Sequence, residues 1–157
     1  MMLAKEIMTE EVVVVSEKAT IREAVEGMLS HGISGVPVVD EKGRLSGVLS
    51  ESDLILGDKT TQVPHRLLDA LVRLLMGEAD VRASAAGDLA ARLAEIGPAP
   101  VEEYMTWPVY SATPDMSAEE VAALVTEHDI NRIPVVDEKG CVVGIISRHD
   151  LLRGMYP

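Results

Sequence analysis

Apolar positions come in two kinds of run along this chain, and the two kinds alternate. Val12 to Val15 is four consecutive valines, the signature of a strand. After it, Ile21, Val25, Met28 and Leu29 recur at helical spacing, which predicts a helix over Ile21 to Ser30 with that face buried. Thr20-Ile-Arg-Glu23 at its start spells a capping box. Val36-Pro37-Val38-Val39-Asp40 then reads as a strand, Glu41-Lys42-Gly43 as a turn and Leu45 to Leu49 as the return strand. Gly43 supplies the positive φ that the turn requires. A short helix is expected after Ser50.

The same order returns later. Val109 to Ala112 matches the first strand, though it is less apolar. Ser117-Ala-Glu-Glu120 repeats the capping box, and Val121, Leu124 and Val125 mark the buried face of a helix over Ala118 to Glu127. Val135-Val136-Asp137, Glu138-Lys139-Gly140 and Val142 to Ile146 repeat the hairpin, and a helix follows Ser147. Written out, Gly32 to Leu54 is GISGVPVVDEKGRLSGVLSESDL, and Asp129 to Leu151 is DINRIPVVDEKGCVVGIISRHDL. They align without a gap. Met8-Thr9 falls on Met105-Thr106, Glu23 on Glu120 and His31 on His128. One supersecondary unit, β-α-β-β-α, is used twice, and the predicted class is α+β.

Residues 57–103 between the copies have a different pattern. His65 to Gly77 carries Leu67, Leu71, Leu74 and Leu75 on one face, and Ala86 to Ile96 carries Leu89, Leu93 and Ile96. A structureless stretch of that length is unusual in a compact domain, so a helical insertion is expected. Its apolar stripes pack on their own domain, or they face a second copy or an effector protein. The expected organisation is repeat 1 over 1–56, the insertion over 57–103 and repeat 2 over 104–157, the two repeats forming one domain.

Composition narrows the function. The 157 residues are 47% apolar but only 3% aromatic, with no Phe, so the core must be aliphatic. The net charge of −12 argues against general nucleic-acid or anionic-membrane binding, which need clustered Lys and Arg. It leaves room for a small anion in a locally positive pocket. One cysteine, Cys141, excludes an intrachain disulfide and fits a reducing cytoplasm. No apolar run is long enough to span a membrane, and the first residues do not read as a signal peptide.

No catalytic or metal-binding constellation is found: HExxH, Walker-type glycine loop, GxSxG and CxxC are all missing. His31 and His128 are expected at helix C-termini, facing the negative end of the macrodipole. The chain is therefore not expected to be an enzyme.

The motif with chemical content is Gly47-Val48-Leu49-Ser50-Glu51-Ser52-Asp53, repeated as Gly144-Ile145-Ile146-Ser147-Arg148-His149-Asp150. Each serine ends a strand where a helix begins, beside unpaired amides that favour phosphate oxygens. Each aspartate lies three residues on, along the same edge, where a carboxylate can accept from both hydroxyls of a ribose. The same pattern is also a plain helix start, with a capping serine and an acid at the third position. Both readings stand on the residues alone.

Taken together, Met-Thr, a capped helix, hydrophobe-Pro-Val-Val-Asp, a turn glycine and Gly-hydrophobe-hydrophobe-Ser-x-x-Asp resemble the CBS domain, named after cystathionine β-synthase. Two in tandem resemble a Bateman module. The resemblance covers Met8 to Leu56 and Met105 to Arg153 and does not speak to the insertion. It implies two repeats packed through their sheets about a pseudo-twofold, with two clefts that take AMP, ADP, ATP or S-adenosylmethionine as regulatory ligands and no prosthetic group. It also implies a homodimer and an effector protein that reads the signal. Asp53 and Asp150 take the ribose role, Ser50 and Ser147 the phosphate role. Matching positions for an adenine wall are Val36 and Pro37, Ile133 and Pro134, with Val12, Val13, Val109 and Tyr110 on the opening strands. Tyr110 either stacks on the base or belongs to the core.

The copies differ at a few positions. Repeat 2 has Asn131 and Arg132 before its Pro, and Arg148 and His149 after its Ser; repeat 1 has Ser34, Gly35, Glu51 and Ser52 there. Two guanidinium groups suit a phosphate, and Glu51 would repel one. The second cleft is thus expected to prefer AMP, ADP or ATP. The first is expected to be empty or to take a less anionic ligand such as S-adenosylmethionine or adenosine. The competing possibility is a dimerisation or partner-binding scaffold with vestigial clefts.

Overall fold

The computed structural model describes residues 1–55 and 94–156. Its elements are α1 (Ala4–Ile7), β1 (Val15–Ser16), α2 (Ile21–Ser30), β2 (Gly35–Val39), β3 (Leu45–Ser50) and α3 (Glu51–Ile55). A 3-10 turn follows at Val101–Glu103, then α4 (Ala118–Glu127), β4 (Arg132–Val136), β5 (Val142–Ser147) and α5 (Arg148–Met155). The helix expected over 65–77 and most of that over 86–96 lie outside the described residues; residues 94–96 are helical.

Both long helices start and stop where the sequence places them, because their caps are built as expected. Thr20 Oγ1 accepts from the Glu23 N–H at 3.2 Å, and the Glu23 carboxylate accepts from the Thr20 N–H at 2.9 Å. Ser117 and Glu120 repeat this at 3.2 and 2.8 Å. His31 closes α2, its Nδ1 donating to the Gly27 carbonyl at 2.8 Å. The hairpin turns are alike too. The Asp40 carboxylate accepts from the N–H groups of Lys42 and Arg44, and Asp137 from those of Lys139 and Cys141. The Arg44 N–H holds the Asp40 carboxyl below its ordinary pKa. Gly43 and Gly140 have φ of 79° and 82°, as the turn demands.

The opening strands are shorter than expected. Of Val12 to Val15, only Val15 is in β1, which pairs with β2. Val13 and Val15 pack on the core while Val14 is exposed, so the four valines do not act as one buried run. Val109 to Ala112 forms no strand. Ala112 alone makes a parallel bridge to Val135, receiving from the Val136 N–H and donating to the Pro134 carbonyl. The prolines at 108 and 114 flank this segment and remove donors on both sides.

The structure divides into two compact units whose limits are not those of the sequence repeats. Of the described residues, one comprises 13–38, 47–55 and 94–107, the other 1–12, 39–46 and 108–156. In the first, Ile21, Val25, Met28, Val36, Val38, Leu49 and Leu54 form an aliphatic core that also takes Ile96 and Val101. In the second, Val121, Val125, Ile133, Val135, Ile146 and Leu151 form the core, and Ala4 of α1 completes it.

Each repeat therefore borrows the segment leading into the other. The Ile21 N–H donates to the Ala99 carbonyl, and the Val101 N–H to that of Ala19. In the second unit the Ala4 N–H donates to the Met116 carbonyl, the Ala118 N–H to that of Met2, and Lys5 pairs with Asp115 at 2.8 Å. The tip of the first hairpin belongs to this unit as well, where Leu45 N–H donates to the Gly140 carbonyl and Val142 N–H to that of Gly43.

Candidate functional site

The exchange of leading segments builds the surroundings of both Ser-x-x-Asp motifs. In the first unit Thr106 lies beside β3, exchanging backbone hydrogen bonds of 2.9 and 3.0 Å with Val48. In the second unit Thr9 does the same with Ile145, at 2.9 and 3.1 Å. The duplicated Met-Thr thus sits two residues before the serine of the opposite repeat. Met8-Thr9 and Met105-Thr106 were visible in the sequence as a matched pair, but nothing in the spacing said that each serves the other copy.

Close crossing explains the glycines that open the two motifs. A Cβ on Gly47 would meet the Met105 side chain at 2.7 Å and the Thr106 carbonyl oxygen at 2.8 Å. A Cβ on Gly144 would collide with the Met8 thioether.

Each serine-aspartate pair closes on itself. The Ser50 N–H and hydroxyl reach Asp53 Oδ2 at 2.9 and 3.1 Å. The Ser147 N–H and hydroxyl reach Asp150 Oδ2 at 2.9 Å each, and the Asp150 N–H returns to Ser147 Oγ at 3.2 Å. So the capping pair is reciprocal in repeat 2, while in repeat 1 the aspartate accepts from the Ser50 N–H and hydroxyl. A further difference is at the second oxygen. Thr106 Oγ1 donates to Asp53 Oδ1 at 2.7 Å, whereas among the described residues nothing donates to Asp150 Oδ1. Thr106 was not among the expected site residues.

One consequence is unequal structural weight. Hydrogen bonds to charged groups contribute about 1.5–3 kcal/mol each. Asp53→Ala should lower stability about 1–2 kcal/mol more than Asp150→Ala, by urea unfolding. Thr106→Val should cost about 1 kcal/mol or more in the native chain and nothing further in Asp53→Ala. Equal losses at the two aspartates would contradict this.

The remaining expected residues fall into three groups. Val36, Pro37, Ile133 and Pro134 are buried, and Val36 and Ile133 are members of the two cores. Val12, Val13 and Val109 are half-buried, and Val13 packs on the first core. Around Ser147 the structure brings together what the sequence grouped. Arg132 is the register partner of Ser147 across β4 and β5, and the Arg148 N–H donates to the Asn131 carbonyl. His149 is exposed at the first turn of α5.

Arg148 is already engaged: Nε donates to the Ile130 carbonyl and Nη2 to Asp129, both at 2.9 Å. Asp129 holds a φ of 49° at the place where repeat 1 has Gly32, with φ of 61°. Tyr110 does not belong to the core. It is 49% exposed and stacks on His128, ring centroids 3.7 Å apart at 13°.

Among the described residues, no three His, Cys, Asp or Glu side chains gather as metal ligands, and no helix is long and apolar enough to cross a membrane.

Comparison with known proteins agrees with this architecture. The CBS domain family matches residues 4–57 and 101–156. An uncharacterized protein of Methanocaldococcus jannaschii is 30% identical over 98% of this chain and 91% of its own length. The CBS domain of a CBS domain-containing membrane protein from Sphaerobacter thermophilus is 34% identical, with a TM-score of 0.71 over 97% of this chain and 86% of that one. The CBS domain pair of protein MJ0100, solved with 5′-methylthioadenosine and S-adenosyl-L-methionine, is 25% identical, with a TM-score of 0.66 over 98% of each chain. CBSX2, solved with AMP, shares the fold at 23% identity and a TM-score of 0.68 over 99% of this chain and 96% of that one. With the duplicated unit, both hairpins and both Ser-x-x-Asp junctions in place, the chain belongs to the CBS domain family and carries two CBS domains in tandem.

Proposed function

We propose that this chain is a non-catalytic regulatory module that binds adenosine-containing ligands at its two Ser-x-x-Asp junctions and passes their presence to a partner protein. The observation that carries the reading is the duplication of one junction, each aspartate accepting from the N–H and hydroxyl of its serine, in a family where the related MJ0100 pair was solved with two adenosyl ligands. Serine hydroxyls and helix-start amides suit the 5′ substituent, and the aspartates suit the ribose diol. Asp150, with an oxygen that takes no bond among the described residues, offers an acceptor without rearrangement. Arg132 and Arg148 lie beside Ser147, so a 5′-phosphate is favoured at this second junction.

Thermal unfolding with AMP, ADP, ATP, NAD, 5′-methylthioadenosine and S-adenosylmethionine tests this directly. A ligand at about 100 times its Kd adds roughly 2.7 kcal/mol to stability. For a chain of this size that raises Tm by roughly 5–10 °C. At least one compound is expected to do so, and Asp150→Ala should abolish the shift given by AMP. No shift with any of them would overturn the reading and leave a structural scaffold.

A further inference from the structure

Thr106 and Thr9 have the same backbone register in their units, yet only one of them uses its hydroxyl. Thr106 pairs with Val48, five residues before Asp53, and Thr9 pairs with Ile145, five residues before Asp150. One residue earlier, Met105 lies against Gly47 and Met8 against Gly144. With the backbones alike, what differs is the threonine side chain, which has three staggered positions to choose from. Thr106 is half-buried, and its hydroxyl donates to Asp53 Oδ1 at 2.7 Å. Thr9 is exposed, its hydroxyl bonds no described residue, and Asp150 Oδ1 takes no bond among them. One clasp is thus present in both its positions, closed in the first unit and open in the second.

The open clasp sits where residues 1–12 are tied to their unit. Met2, Ala4 and Lys5 make backbone bonds to Ala118, Met116 and Pro114, and Thr9 makes its pair of bonds with Ile145. Beyond Thr9, Glu10 and Glu11 are exposed. A hydroxyl is donor and acceptor at once, so one seated between Thr9 and Asp150 can accept from the first and donate to Oδ1 of the second. It would replace by a bridge the direct bond that Thr106 makes. The leading segment would then be tied to the start of α5 through the bridging molecule.

We propose that a ligand hydroxyl closes the clasp between Thr9 and Asp150, and that its closing fixes residues 1–12, so that this segment carries the signal of occupancy. This rests on the adenosine-ligand reading above, where a ribose diol meets Asp150, and adds the residue and the segment through which binding is passed on. The first unit, clasped by its own Thr106, holds its leading segment at all times.

The test is amide hydrogen exchange of the full chain by NMR, read at Thr9 and Ile145, with Thr106 and Val48 as the internal reference. Saturating AMP should slow exchange at Thr9 and Ile145 about fivefold or more, as one hydrogen bond of about 1 kcal/mol gives, and leave the reference amides within about twofold. Adenosine, with the same diol, should slow the same amides. The 2′,3′-dideoxy form of AMP, which keeps base and phosphate, should not. Thr9→Val should weaken AMP binding about fivefold and abolish the slowing, and Thr9→Ser should restore both. Because the Thr9 hydroxyl bonds no described residue, Thr9→Val should leave the Tm of the unliganded chain unchanged. Equal slowing by the dideoxy compound, slowing that survives in Thr9→Val, unaltered AMP affinity in that variant or a lowered Tm would each overturn the proposal and leave the adenosine reading intact. If neither AMP nor adenosine binds the native chain, both readings fall.

Discussion

Gly47→Ala is expected to destabilise the protein by about 1–3 kcal/mol, and shortening the neighbouring methionine will not restore it. The new methyl would stand 2.8 Å from the Thr106 carbonyl oxygen, which is backbone and is held by the hydrogen bond it accepts from the Val48 N–H. Gly144→Ala presents the opposite case. There the three nearest atoms all belong to the Met8 side chain, with Cγ at 2.8 Å and Cβ at 3.1 Å. A flexible thioether can swing aside or be removed. Double-mutant cycles measured by urea unfolding should therefore show a stabilising coupling of about 1 kcal/mol between Gly144→Ala and Met8→Ala. The cycle between Gly47→Ala and Met105→Ala should show little. Similar couplings in both would mean that the crossing segments are equally yielding, contrary to the geometry.

Ile133→Ala should cost more, about 2–5 kcal/mol, the range for emptying a fully buried aliphatic site. Ile133 is 0% exposed and lies among Val121, Val125, Val135 and Ile146. In a chain of this length that lowers Tm by roughly 2–4 °C for each kcal/mol. Its match in repeat 1, Val36→Ala, loses fewer methyl groups and should cost less. The measurement also decides a functional question. Family likeness makes Val36 and Ile133 candidate walls for an adenine, but a wall residue faces an opening and its truncation leaves no sealed cavity. A loss below about 1 kcal/mol for Ile133→Ala would return it to that role.

Much of the fold was legible because it rests on local chemistry repeated twice. Thr20 with Glu23 and Ser117 with Glu120 fix helix starts from four residues each, and the turn glycines at 43 and 140 fix the hairpins. The paired strand-to-helix junctions were legible as Ser50 with Asp53 and Ser147 with Asp150, since strand end, hydroxyl and acid are adjacent in sequence. What escaped was everything set by contacts between distant segments. Thr106 reaches Asp53 only because the segment leading into repeat 2 crosses to repeat 1, and no periodicity encodes that. Four valines in a row read as one strand, yet exposure at Val14 depends on what packs around it. The engagement of Arg148 with Asp129 and Ile130 likewise belongs to the folded loop rather than to the motif.

The borrowed segments have a kinetic consequence. Hairpins and capped helices close over short loops and can form quickly, but the pairing of Thr9 with Ile145 joins the two ends of the described chain. Loop-closure entropy must be met before that contact gives anything back. During synthesis, residues 1–12 emerge well before residues 108–156, with which they share a unit. They must wait, without their partners, until Ile145 has been made. The second unit should therefore close late, in a step set by topology rather than by the strength of any one contact.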